Sequence, residues 1–341
     1  MGVDQVLDRR QPNTIEPLLE VRDLSVAFRS KTGNVTVVKD VNFSLQPSET
    51  LAILGESGSG KSTVALALMG LLPKPNGRIS GGSIYFQGKD LVRLGESERR
   101  KLRGSQMSMI FQDPLSALNP VYTVGYQIGE VLRIHRRMSR DKIKNAVIEL
   151  MEQVHIPDAR KRYNNYPHQF SGGMQQRIMI AMALALEPKV LIADEPTTAL
   201  DVTVQAQIMY LLKELQKTKK MGLILISHDL GVVANHADRI AVMYAGHMVE
   251  TGKVEDVFRN PAHPYTVGLM ESLPTLHKHS TRLSPIKGSP PNILTPPKGC
   301  AFHPRCPIAK DRCKDDTPLL NKVTEGRDSA CHFYEEVLDN D

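Results

Sequence analysis

The sequence has no tryptophan, an aromatic share of only 5%, and four cysteines in 341 residues. No stretch reaches the roughly 18 uninterrupted apolar residues that a membrane-spanning helix needs, and the longest candidate, Ile178–Leu186, has the length of a buried helix. The N-terminus, MGVDQVLDRRQPNTIEP, holds no apolar run, which argues against a secretory signal. Gly2 is not followed by the Ser or Thr of a myristoylation site. Internal repeats are absent too, so one catalytic unit is expected and not a tandem pair. These absences lead to the expectation of a soluble, cytoplasmic protein. Its cysteines are Cys300, Cys306, Cys313 and Cys331, all in the tail. A disulfide framework is not expected in that compartment. Their spacing, C-x5-C-x6-C-x17-C, lacks the tight pairs that zinc sites favour.

What is present is ordinary for a globular chain: 41% hydrophobic and 23% charged residues. The length suits one large domain with an appendage, or two domains. The net charge of +6 gathers in Glu98–Arg103 and Arg133–Lys144. A solvated helix face is the plain reading of these runs. A nucleic-acid surface or a surface beside anionic lipid is the sharper one, and charge alone does not choose.

Residues 18–54 alternate apolar and polar, as antiparallel strands do, until TLAILG, which is continuously apolar and suits a strand buried on both faces. VALALMGLL follows as a helix, then a strand at Ser83–Phe86, a charged helix at Glu96–Leu102 and a buried strand in MSMIFQ. Residues 121–160 and GGMQQRIMIAMALAL read as helices. KVLIADEP and GLILISHD read as buried strands, and RIAVMYAGHMVETG as a hairpin turning at Ala245–Gly246. Strands alternating with helices imply an α/β core on a mostly parallel sheet. Proline becomes dense over 261–305, so a boundary is expected near residue 260.

GESGSGKST matches G-x-x-x-x-G-K-[ST] between a strand and a helix, the context that a phosphate-binding loop requires. Gly55, Glu56, Ser57, Gly58, Ser59, Gly60, Lys61, Ser62 and Thr63 form it. Its backbone amides and the following helix N-terminus would hold phosphates. Lys61 would reach the β- and γ-phosphates and Ser62 would bind Mg²⁺. The strand VLIAD ends on Asp194, suited to Mg²⁺, and Glu195 is a candidate to deprotonate the attacking water. His228 and Gln112 end two further strands, at the edge where open α/β sheets bind ligands. His228 would contact the γ-phosphate, and Gln112 would bind Mg²⁺ or the water.

Together with these motifs, FSGGMQQR (Phe170–Arg177) closely resembles the signature of ATP-binding cassette (ABC) ATPases. Phe170 and Met174 stand where the usual pattern has Leu and Gln, and the Ser171-Gly172-Gly173 core is intact. The resemblance implies a P-loop (RecA-like) α/β fold with an antiparallel β subdomain and a helical subdomain around residues 113–180. It places Ser171, Gly172, Gly173 and Gln175, with Asp201 of the motif TTALDV, in trans over ATP bound to a second cassette. Phe28 falls at the family's adenine-stacking position, and a core role for it stays open. MIFQDPLSALNP, YPHQFSGGM, NPAHPYTVGLMESLP and the cysteine tail look like the dipeptide/oligopeptide permease branch.

That branch implies an ATPase that powers peptide import. Its partners would be two transmembrane permease subunits, a second and related ATPase chain, and indirectly a solute-binding protein, at the cytoplasmic membrane face. The expected domains are a tail (1–17), the ATP-binding domain (18–260) and a cysteine-containing appendage (261–341). An importer of nickel, glutathione or another small solute stays open, as does an ABC ATPase acting on nucleic acid, although a nucleic-acid partner is not expected. Branch members with such a tail also imply that Cys300, Cys306, Cys313 and Cys331 hold a [4Fe–4S] cluster, with zinc or four reduced, packed thiols as the open alternatives. His303 and His332 adjoin the group as packing residues.

Overall fold

The structure is a computed structural model that describes residues 16–31, 33–198, 200–272, 286–293 and 295–339. Most of the expected 1–17 tail and part of the proline-rich stretch lie outside the described residues.

Twelve strands form two sheets among these residues: β1 (Leu19–Ser30), β2 (Gly33–Leu45), β3 (Thr50–Leu54), β4 (Gly77–Phe86), β5 (Lys89–Asp90), β6 (Met107–Ile110), β7 (Val190–Asp194), β8 (Gly222–Ser227), β9 (Arg239–Tyr244), β10 (His247–Lys253), β11 (Asn321–Thr324) and β12 (Arg327–Ser329). The larger sheet runs β11-β12-β10-β9-β3-β8-β7-β6. Its stretch from β9 to β6 is parallel. β3, β7 and β8 are buried at every residue, which is why TLAIL, VLIAD and GLILIS carry no polar alternation. β9 and β10 form the expected hairpin, with φ of 46° at Ala245 and 84° at Gly246, a turn whose twist matches its strands.

β2-β1-β4-β5 make the antiparallel sheet. Between it and the core sheet lies one apolar cluster, including Leu19, Val26, Leu45, Ile53 and Val64. On the β7–β8 side the helices Val124–His135, Arg140–Gln153 and Gly172–Leu184 pack Ile128, Val147, Met151 and Ile178 into a second cluster shared with Leu191 and Leu225. That is the helical subdomain.

The basic run Glu98–Arg103 is less solvated than its charge suggests. Arg103 donates to the carbonyls of Met69 (2.8 Å) and Gly70 (3.0 Å), and Arg99 to that of Leu91 (2.7 Å). The final carbonyls of the helix Lys61–Met69 have no partner within that helix, and Arg103 supplies one.

The composition changes near residue 260, but the sheet does not stop there. β12 pairs with β10 through Glu250–Ser329 and Thr251–Asp328. Arg327 donates to the fully buried Glu250 at 2.9 Å and to the Asn260 carbonyl, and the amide of Ala262 donates to Glu250 at 2.8 Å. A third cluster, with Leu54, Val242, Tyr244, Tyr265 and Phe302, joins the tail to the back of β3 and β9.

Candidate functional site

The phosphate loop leaves β3 and enters the helix Lys61–Met69. Glycine is required at two points. A Cβ on Gly55 would lie 2.2 Å from the Met243 carbonyl oxygen, and Gly60 has a φ of 102°. Ser57 and Gly58 are exposed at the crest, whereas Ser59 is buried and Thr63 is half-buried in the helix's first turn. The Ser59 amide donates to the Glu56 carbonyl at 3.2 Å. Lys61 is buried, and its Nζ donates to the carbonyls of Gly55 (2.7 Å) and Glu56 (2.9 Å). Burial lowers its pKa, while the charges of Glu195, Asp194 and Glu56 oppose that shift.

Ser62 and Asp194 meet beside it: the Ser62 hydroxyl donates to Asp194 Oδ1 at 3.1 Å. Burial raises the Asp194 pKa against the pull of that hydrogen bond and of Lys61, and Glu195 adds to the rise. Two hard oxygen donors at the mouth of a phosphate loop are the donor set that Mg²⁺ with a nucleotide takes.

Glu195 follows β7 with a φ of 47°, a left-handed backbone that a non-glycine residue adopts at a cost and that concentrates at functional sites. Its Oε2 accepts from Gln112 Nε2 and from Thr198 Oγ1, both at 2.9 Å. Its Oε1 faces His228 Nδ1 at 3.2 Å. Three adjacent strands, β6, β7 and β8, therefore deliver Gln112, Glu195 and His228 to one point. Thr198 was missed by sequence reasoning. Its signal was weak: a hydroxyl three residues after the acid, in a turn.

The signature residues stand at two helix starts. Ser171 caps Gly172–Leu184, accepting from the Met174 amide at 3.4 Å, and Asp201 caps Val202–Lys219, accepting from the Val204 amide at 3.0 Å. Ser171, Gly172 and Asp201 are exposed and Gly173 is half-buried. A Cβ on Gly173 would lie 2.5 Å from Val204, so the two helix starts pack too closely for a side chain there. Gln175 differs from its neighbours. It is buried, and its amide donates inward to the carbonyls of Pro167 (2.9 Å) and Phe170 (3.1 Å). It braces its own loop and does not face outward. Phe28 lies in β1, half-buried, packed against the cluster between the sheets and 2.9 Å from where a Cβ on Gly77 would be.

The four cysteines line one small pocket with Phe302, Phe333 and Pro264. Burial pushes the thiols of Cys300, Cys306 and Cys331 up, to about 11 for Cys306 and about 12 for Cys331. Among the described residues no three His, Cys, Asp or Glu side chains form a group that could hold a metal ion. The cluster expected from the resemblance is therefore not supported: the four cysteines line one pocket without forming such a group. His303 and His332 face backbone carbonyls, of Cys300 at 2.9 Å and Asp316 at 3.0 Å.

Among the described residues no helix is long and apolar enough to cross a membrane. Two family models match the chain: "ABC transporter" over residues 38–198, and "Oligopeptide/dipeptide transporter, C-terminal region" over residues 249–313. An oligopeptide transport ATP-binding protein of Salmonella typhimurium is 53% identical over 96% of this chain and 97% of its own length. A dipeptide transport ATP-binding protein of Bacillus subtilis is 53% identical over 86% of this chain and 88% of its own. A solved dimeric structure of the ATP-binding cassette MJ0796, in a post-hydrolysis state with ADP and phosphate, superposes with a TM-score of 0.62 at 27% identity, over 69% of this chain and 98% of that one. The chain belongs to the ABC transporter ATP-binding proteins, in their oligopeptide/dipeptide branch.

Proposed function

We propose that this chain is the ATP-hydrolysing subunit of a peptide importer, working as one of two cassettes that close around ATP. The observation that carries the catalytic part is the convergence of Gln112, Thr198 and His228 on Glu195, next to Lys61, Ser62 and Asp194. Lys61 neutralises charge on the β- and γ-phosphates. Ser62 and Asp194, with Gln112 beside them, would hold Mg²⁺, which supplies charge neutralisation on the phosphate oxygens. Glu195 accepts a proton from the attacking water, and its three partners keep the carboxylate aimed. Ser171, Gly172 and Asp201, exposed at neighbouring helix starts, would complete the ATP site of the opposite cassette. Closing and reopening is then a rigid-body switch between cassettes.

The opposite cassette would be a related but different chain, and two permease subunits would receive the motion at the cytoplasmic face of the membrane. The surface for them lies on the helical subdomain after Gln112. Val121, Tyr122, Tyr126 and Tyr166 are exposed there, at 39–69% of their area, and Tyr122 stacks on Tyr126 with centroids 4.8 Å apart. Import of peptide, and not of nickel or glutathione, rests on relatives named for oligopeptide and dipeptide transport. The domain limits proposed are 18–260 for the cassette and 261–341 for the appendage, with β12 of the latter completing the sheet of the former.

The proposal extends to the cysteine pocket: Cys300, Cys306, Cys313 and Cys331 would be the four thiolate ligands of a [4Fe–4S] cluster, cross-linking a loop-rich tail. Its support is the convergence of four sulfurs on one pocket. Iron content and visible thiolate–iron absorbance of an anaerobic preparation test it, and their absence rejects it.

For the catalytic reading the test is Glu195→Gln in the assembled transporter. ATP hydrolysis should fall by about 100-fold or more. Unchanged hydrolysis removes Glu195 as the base, and peptide uptake into vesicles carrying the complex checks the cargo.

A further inference from the structure

Arg305 lies in the cysteine tail, 249 residues beyond the phosphate loop, yet its guanidinium grips that loop. Nη1 donates to Glu56 Oε2 at 2.8 Å and Nη2 to Glu56 Oε1 at 3.1 Å. Such a fork fixes orientation as well as distance. Nη1 also reaches the Tyr244 hydroxyl at 3.2 Å, and Nε the Lys287 carbonyl at 3.1 Å. The Arg305 side chain is 6% exposed and that of Glu56 26%. This is a largely desolvated pair, unlike the exposed ion pairs elsewhere on the tail.

Glu56 is the residue of the loop through which a hold on one end would be felt at the other. Its amide donates to the Tyr265 hydroxyl at 2.9 Å. Its carbonyl accepts from Lys61 Nζ at 2.9 Å and from the Ser59 amide at 3.2 Å. Arg305 and Tyr265 thus fix the side chain and the backbone of the residue that orients Lys61. Behind them Phe302 packs edge-on against Tyr244, with centroids 5.2 Å apart, and the turn from Phe302 to Cys306 places Arg305 directly before a pocket cysteine. There is an electrostatic consequence too. An unpaired Glu56 carboxylate at the mouth of a phosphate site would repel ATP, and Arg305 cancels that charge.

We propose that Arg305 is a positioning residue for nucleotide binding: it holds the phosphate loop in shape and neutralises Glu56, so that the loop's affinity for ATP depends on the cysteine tail. The inference rests on the reading of Gly55–Thr63 as the ATP site. It makes the tail part of the nucleotide site, although none of its residues belongs to the ATP-binding motifs.

The test is equilibrium binding of Mg-ATP to the full chain, with unfolding midpoints measured alongside. Arg305→Ala should raise the dissociation constant by about tenfold. In the assembled transporter KM should rise with little change in kcat. Arg305→Lys should fall between, because an ammonium cannot span both carboxylate oxygens. Adding Glu56→Gln to Arg305→Ala should restore part of the affinity, since the repelling carboxylate is gone. A purely structural tie lowers the midpoint of both single variants and leaves affinity alone. An Arg305→Ala or Arg305→Lys protein that binds ATP within twofold of the parent therefore overturns the proposal, and so does a double variant no better than Arg305→Ala. Lys61→Ala is the control. If it binds normally, the ATP-site reading itself fails; if it loses binding while the Arg305 variants keep theirs, the strut alone fails.

Discussion

The phosphate loop and the cysteine tail meet at Glu56, but they are held in opposite ways. Within the loop the contacts are short in sequence: Lys61 reaches back five and six residues to Glu56 and Gly55. The tail is held by contacts that jump far along the chain: Arg305 to Glu56, Arg327 to Glu250, and β12 onto β10. The difference separates two jobs. The chemistry of phosphate binding is built into one strand, loop and helix. The placement of that unit depends on groups that no local pattern announces.

The comparison breaks most visibly at Arg327. Glu250 is fully buried and Arg327 is 8% exposed. Removing one partner of a buried pair leaves an uncompensated charge, at about 3–5 kcal/mol. Arg327→Met should lose that much in urea unfolding, in a single transition shared with the cassette. Two separate transitions would show that the tail folds independently and that its pairing with β10 is incidental. Lys61→Ala should leave folding nearly untouched, since it removes a desolvated charge, and should weaken Mg-ATP binding by roughly 100-fold. Comparable affinity for both proteins would break the assignment. Thr198→Val sharpens the picture inside the site. It keeps the shape but deletes one of three contacts that aim Glu195, so kcat should fall about tenfold with KM unchanged. A raised KM at constant kcat would place Thr198 in substrate binding.

The fold was legible wherever burial was uniform. TLAIL, VLIAD and GLILIS read as buried strands because both faces of the parallel sheet are covered, by helices on one side and by the antiparallel sheet with the helix Lys61–Met69 on the other, and RIAVMYAGHMVETG read as a hairpin because two strand-like runs flank Ala245–Gly246, where glycine takes a positive φ at no cost. The phosphate loop was legible from spacing. What escaped was fixed by distance in space: Thr198 beside Glu195, Arg305 on Glu56, Arg103 on the end of the helix Lys61–Met69. A guanidinium carries the same letter whether it faces water or a carbonyl. Only the packed chain tells an exposed arginine from a brace. Gln175 shows the converse, for its motif suggests a contact in trans while its amide closes its own loop.

The effect that appears only on acidification concerns His263, which packs against Phe302 where the tail meets the cassette. It is 1% exposed, its Nδ1 accepts from the Tyr265 amide at 3.0 Å, and burial lowers its pKa to about 3. An unfolded histidine titrates near 6.5. Above that pH both states are neutral and the site adds no pH dependence. Between about 6.5 and 3 the unfolded chain takes up a proton that the folded chain refuses, so acidification removes stability, at up to about 1.4 kcal/mol per pH unit. His263→Asn keeps a capping acceptor and removes the titration. The stability gap between parent and variant should therefore shift by about 2 kcal/mol in favour of the variant from pH 7 to pH 5, read from urea midpoints. Equal slopes would mean that the imidazole gains its proton in the folded state. In that case Phe302 does not seal it, and the contact between tail and cassette opens as the pH falls.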